Sequence, residues 1–166
     1  MSVKQLLTLA AALVAVVIAA QAAAGTSFRL EIGSSAALGT EKKIFKDKDG
    51  KKVVLAVRAV VCQDLPNVKV TGTAEGLVNG KRETLPLSLA LVDPAGAVYA
   101  VQQQWPEQGA WVLHLKGSCS NPKAEASTLV AVSKGTFIRE KSEVLREPAT
   151  REQVDAAVAA LARSQS

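Results

Sequence analysis

The chain has 166 residues, 48% of them hydrophobic and only 4% aromatic, with a formal net charge of +5. That length holds one domain of ordinary size. The apolar surplus is concentrated in the first 24 residues and the charge excess is small, which argues against both a multi-span membrane protein and a strongly basic nucleic-acid binder.

The opening segment has the three parts of a secretory signal: Lys4, an apolar run from Leu6 to Ala20, and the small-residue stretch Gln21-Ala22-Ala23-Ala24. Cleavage is expected after Ala24, with Ala22 as the alternative site and retention as an anchor as the competing reading. Export is to a periplasmic or extracellular location. Once Lys4 leaves, 19 Lys+Arg face 15 Asp+Glu, so the mature charge is near +4. Most of that excess lies in Glu41–Lys52, which holds six lysines and three acids.

Ser27–Ile32 alternates Phe28, Leu30 and Ile32 with polar neighbours, the period of a half-buried strand. After a weaker segment over 37–45, Asp49-Gly50 predicts a hairpin turn, because both positions tolerate positive φ. Asp47-x-Asp49-Gly50 also resembles part of a calcium loop, but that alignment puts Phe45 first and Leu55 or Ala56 near the closing acid. Val53–Cys62 is the densest β-branched run and is read as the central strand, covered on both faces.

From Asn67 to Glu75, Val68, Val70, Gly72 and Ala74 face one side, while Lys69, Thr71, Thr73 and Glu75 form a wet face. Asn79-Gly80 predicts the next hairpin. One strand is expected through Leu85, Leu87, Leu89 and Leu91, with Pro86 placing it at an edge or a bulge. Asp93-Pro94-Ala95-Gly96 is a turn into a strand over 97–103, and Pro106–Gly109 is another. In 110–116, Trp111, Leu113 and Leu115 alternate with Val112, His114 and Lys116. Cys119 is expected in a loop over 117–122, followed by short strands over 127–133 and 136–139.

The end of the chain changes period. Thr150 with Gln153 forms a capping box, and Val154, Ala157, Val158 and Leu161 share one helical face, predicting an amphipathic helix that lies against the sheet or caps an open end. The expected plan is therefore a signal peptide over 1–24, an antiparallel β-sandwich or small barrel over 25–147, a packed C-terminal helix over 148–163, and a polar tail over 164–166.

In an oxidising compartment two cysteines predict one disulfide, Cys62 to Cys119. Cysteines 57 positions apart with aromatic residues between them resemble those of immunoglobulin-like domains. The tryptophan that should closely follow the first cysteine is missing, so the resemblance implies a sandwich only in the loose sense. Gly109–Leu115 is similar to the closing strands of several exported bacterial β-sandwiches. Neither resemblance implies an activity.

Residues that carry chemistry are sparse. His114, the one histidine, is read as an exposed strand residue without a nucleophile at a recognisable spacing. Glu75, Asp93 and Glu107 do not form a recognisable carboxylate pair. No Gly-x-Gly-x-x-Gly is present, the mature part has no methionine, and no cofactor or metal is expected. Trp105 is read either as a surface anchor among Gln102, Gln103 and Gln104 or as a turn residue folded over the core. Lys46, Lys48, Lys51 and Lys52 are the candidate contacts for an anionic polymer or surface. The sequence thus supports an exported binding or structural module, leaning away from an enzyme, that acts on an envelope or extracellular protein or polymer. No nucleic-acid partner is expected, nor any membrane span after signal cleavage. The alternatives are a secreted hydrolase with a dispersed site near His114, and anionic-surface docking through 42–52.

Overall fold

A computed structural model describes residues 27–34 and 53–165. The expected signal segment, the weaker segment over 37–45 read as a strand or a loop entry, the Asp49-Gly50 turn and the lysines Lys46, Lys48, Lys51 and Lys52 lie outside those residues. The described strands are β1 (Arg29–Gly33), β2 (Val53–Val60), β3 (Lys69–Val78), β4 (Lys81–Pro86), β5 (Leu89–Asp93), β6 (Val98–Gln102), β7 (Ala110–Ser120), β8 (Lys123–Ser133) and β9 (Thr136–Leu145). One helix, α1 (Arg151–Arg163), follows them.

The strands form two antiparallel sheets, one in the order β1-β2-β6-β5 and the other in the order β4-β3-β7-β8-β9. Alternation puts Leu30, Leu55, Val57, Ala59 and Val101 on the inner face of the first sheet. Val70, Ala74, Trp111, Leu113, Leu115, Val130 and Val132 do the same on the second, and all of these join one core. Burying each of these leucine and valine side chains is worth roughly 1.5–3 kcal/mol against leaving it in water. This is the predicted sandwich.

Tight packing explains two glycines, Gly76 opposite its cross-strand partner Trp111 within the second sheet and Gly117 against Leu30 of the facing sheet. A Cβ on Gly76 would lie 2.5 Å from the Trp111 ring, and one on Gly117 would lie 2.6 Å from Leu30. Two polar groups cross the sandwich: the Tyr99 hydroxyl donates to the Val68 carbonyl at 2.7 Å, and buried Thr128 donates to the Leu30 carbonyl at 3.2 Å. Cys62 and Cys119 are joined, linking the end of β2 in one sheet to β7 in the other.

Three local readings need correction. Cys119 lies within β7, because β7 and β8 remain paired from Trp111/Val132 to Ser120/Lys123. The expected strand through 85–91 is two strands in different sheets. Pro86 ends the edge strand β4, the Leu87 amide donates to Gly72, and the Gln104 side chain pins Ser88 through both its amide and its carbonyl before β5 begins. The strand over 136–139 extends to Leu145, with a register shift near Ala131 that lets the Ser142 hydroxyl take the Ala131 amide.

The turns and the helix follow their sequence signatures. Asn79 and Gly80 both have positive φ, at 49° and 76°, as the tight hairpin turn requires. Thr150 and Gln153 make the full capping box. Val154, Val158 and Leu161 are buried against Ala110, Val112, Leu129 and Ala131, so α1 covers part of the outer face of the second sheet. That face carries the candidate site.

Candidate functional site

Sequence reasoning pointed elsewhere for most of its site residues. The four candidate lysines lie outside the described residues, as noted above. Trp105 is 4% exposed and packs in the sandwich core, matching the reading of a turn residue folded inward. His114 is not the exposed strand residue that alternation suggested: it is 6% exposed, because α1 and the segment leading into it lie over this side of β7. Likewise the face of β3 read as wet is closed over at Glu75, which is 4% exposed.

Register shows what shares this face. Residues directly opposite each other in paired strands point the same way. One row is Thr73, His114 and Leu129; the next is Thr71, Lys116 and Ser127; the last is Lys69, Ser118 and Glu125. Leu129 packs against α1, which assigns all three rows to the helix side of the sheet.

Beside the first row, Glu75 anchors the helix. Its carboxylate accepts from Thr73 at 2.9 Å, Thr84 at 2.8 Å, Arg82 at 3.1 Å and Arg151 at 3.4 Å. Asp155 pairs with the same two arginines, at 2.8 Å to Arg82 and 3.2 Å to Arg151. Two acids and two bases therefore join β3 and β4 to the first turns of α1. Burial alone pushes the Glu75 pKa up and is the largest single influence. The hydrogen bonds from Thr84, Thr73 and Arg82, with the charge of Arg151, outweigh it and hold the carboxyl below its usual range.

His114 lies next to this network without a hydrogen bond to it, and its Nε2 is buried without a partner among the described residues. Burial is the main cause of its lowered pKa, reinforced by Lys116 and Arg151 and opposed by Glu75. A neutral imidazole at physiological pH follows.

Past the start of the helix, the two polar rows stay open at Lys69, Thr71, Lys116 and Glu125. They form the floor of a cleft of about 250 Å³ lined by Lys69, Thr71, Lys116, Ser118, Glu125 and Ser127, with Pro148 on its wall. The wall is tied down, because the Ala149 amide donates to the buried Ser127 hydroxyl at 3.0 Å. Neither Lys69 nor Lys116 makes an ion pair among the described residues, although Glu125 shares the cleft. Such a cavity is just under the range of small-molecule sites, and suits a small headgroup or one side chain or sugar unit of a larger partner.

The sequence carried little sign of this site. Lys69, Thr71, Lys116 and Ser118 occupy the ordinary polar positions of alternating strands, and only the register across β3, β7 and β8 brings them together. The Glu75 network left a fainter trace in Arg151 and Asp155, an i, i+4 pair in the first turns of a predicted helix. Among the described residues, no three His, Cys, Asp or Glu side chains are grouped so as to hold a metal ion, and no helix is long and apolar enough to cross a membrane. No family model, curated protein or solved structure matches the chain.

Proposed function

We propose that the protein is an exported, non-catalytic β-sandwich module that binds an envelope or extracellular polymer through the open cleft on its second sheet. The observation that carries this reading is the contrast in how polar groups are used. Those suited to acid–base chemistry are committed to the fold: the Glu75 oxygens are taken by Thr73, Thr84, Arg82 and Arg151, and the Ser127 hydroxyl by Ala149. Among the described residues His114 has neither an orienting acid nor a nucleophile in hydrogen-bond contact, as a general base would require. Lys69 and Lys116, which make no ion pair among the described residues, meet the Thr71 and Ser118 hydroxyls in a cleft whose wall is held in place. The disulfide supports the exported part of the reading, since such bonds persist in oxidising compartments.

Cosedimentation with the purified envelope fraction of the source cell tests this. Thr71 is exposed on the cleft floor, so Thr71→Trp should fill the cleft without disturbing the core and abolish most retention. Changing Lys46, Lys48, Lys51 and Lys52 to Gln should leave most retention intact. The reverse pattern would assign docking to the lysine-rich stretch and refute the cleft reading.

A further inference from the structure

We propose that the cleft is a seat for a singly charged oxyanion, held between the ammonium groups of Lys69 and Lys116 with the Thr71 and Ser118 hydroxyls as further donors. This rests on the cleft being the binding site and adds the class of ligand. Lys69 is opposite Ser118 and Thr71 is opposite Lys116, so the two lysines are diagonal neighbours on one face. Side chains at such positions, with Cβ atoms about 7–8 Å apart, can converge on one group. Two like charges placed this way repel each other, and no carboxylate within ion-pair distance relieves either one among the described residues.

The third charge sets the valence. Glu125 lies opposite Ser118 in the same row as Lys69, so the described residues of the cleft carry two positive charges and one negative. A net charge of one matches a carboxylate or a phosphodiester better than a phosphate dianion, whose second charge would face Glu125. The hydroxyls can donate to either oxyanion. Among the described residues no aromatic side chain lines the cleft, so charge and hydrogen bonding, rather than ring stacking, would recognise the group.

The protein contains its own reporter. His114 is the one histidine in the chain and lies in the row next to Lys116, whose charge helps to keep it neutral. The other charges facing it are Glu75 on β3 and Arg151 on α1, with Glu143 of β9 further along the same row. Glu75 and Arg151 are occupied by each other and by Arg82 and Asp155. An anion seated against Lys116 should therefore raise the His114 pKa.

The experiment is an NMR titration of the mature protein at constant ionic strength, following the backbone amides and the single imidazole resonance. The probes are acetate, dimethyl phosphate, inorganic phosphate at a pH where it is mainly dianionic, and acetamide as the neutral isostere of acetate. Acetate and dimethyl phosphate should shift the Thr71, Gly117 and Ser118 amides with a Kd on the order of millimolar, about −4 kcal/mol, and should raise the His114 pKa. Lys116→Gln should weaken acetate about tenfold, as expected for loss of one charge-assisted hydrogen bond, and should raise the His114 pKa without any ligand. Glu125→Gln should improve binding of the dianion most. Equal shifts with acetamide would overturn the anion assignment while leaving the cleft as a binding site. Absence of cleft shifts with all four probes would also overturn it, and the Thr71→Trp retention result would then decide the cleft reading separately.

Discussion

The helix side of the second sheet has two halves that differ in what covers them. Under α1, the strands carry Val112, Leu129 and Ala131, and the charges present are matched in the quartet of Glu75, Arg82, Arg151 and Asp155. Past the start of the helix, the same β3, β7 and β8 carry Lys69, Thr71, Lys116, Ser118 and Glu125, with neither lysine in an ion pair among the described residues. Strand geometry is shared by both halves, so it does not explain the difference. Coverage does: a covered charge must be paired, whereas an open one can wait for a ligand.

The sandwich beneath both halves should respond most strongly to its inter-sheet link. Replacing Cys62 and Cys119 with Ala should cost roughly 4 kcal/mol in the loop-entropy model for a 57-residue separation. Denaturant unfolding of the two forms measures it, and a loss under 1 kcal/mol would mean that the sheets are held together almost entirely by packing.

A smaller effect is expected from the covered half alone. Glu75→Gln should destabilise the protein by about 2 kcal/mol near neutral pH, because it removes charge-assisted bonds and leaves Arg82 and Arg151 with only Asp155. Enhanced amide exchange in α1 should accompany the loss. If exchange rose equally in the open half, the two halves would not be separable.

Acidification sharpens the comparison further. The folded carboxyl of Glu75 titrates below its ordinary 4.5, so its contribution is present above that value and is lost as pH falls through the folded pKa. His114 is also depressed, from 6.5, so below that value the unfolded chain takes up the proton first and stability falls with pH. Thermal midpoints should therefore drop in two stages as pH falls. His114→Gln should remove the upper stage and Glu75→Gln the lower. A midpoint that rose on acidification between these values would contradict both assignments.

What could be read from sequence was what is decided locally or by counting. Asn79-Gly80 fixes its hairpin through the φ values its residues tolerate, Thr150 and Gln153 cap the helix within one turn, and two cysteines leave one intrachain pair. The break at Leu87 was hidden because the leucine alternation runs through it, and Leu87 remains buried while the chain passes between sheets. Alternation also misplaced His114 and Glu75: it separates two faces of a strand but says nothing of a helix arriving from much later in the chain. Gly117, Ser118 and Ser120 are poor strand formers that hide the strand around Cys119, yet Gly117 leaves room there for Leu30 of β1 to pack on β7. The cleft depends on pairing register between three strands, which no single segment encodes.

The most direct test of the division between the halves is a paired measurement of unfolding free energy and envelope retention for Lys69→Gln/Lys116→Gln beside Glu75→Gln. The lysine variant should stay within about 0.5 kcal/mol of the wild type, as surface changes usually do, while losing most of its retention. Glu75→Gln should lose stability and, at temperatures where it remains folded, retain binding. A lysine variant that bound normally, or that lost stability in step with retention, would contradict the claim that the open half of the sheet is kept for a ligand.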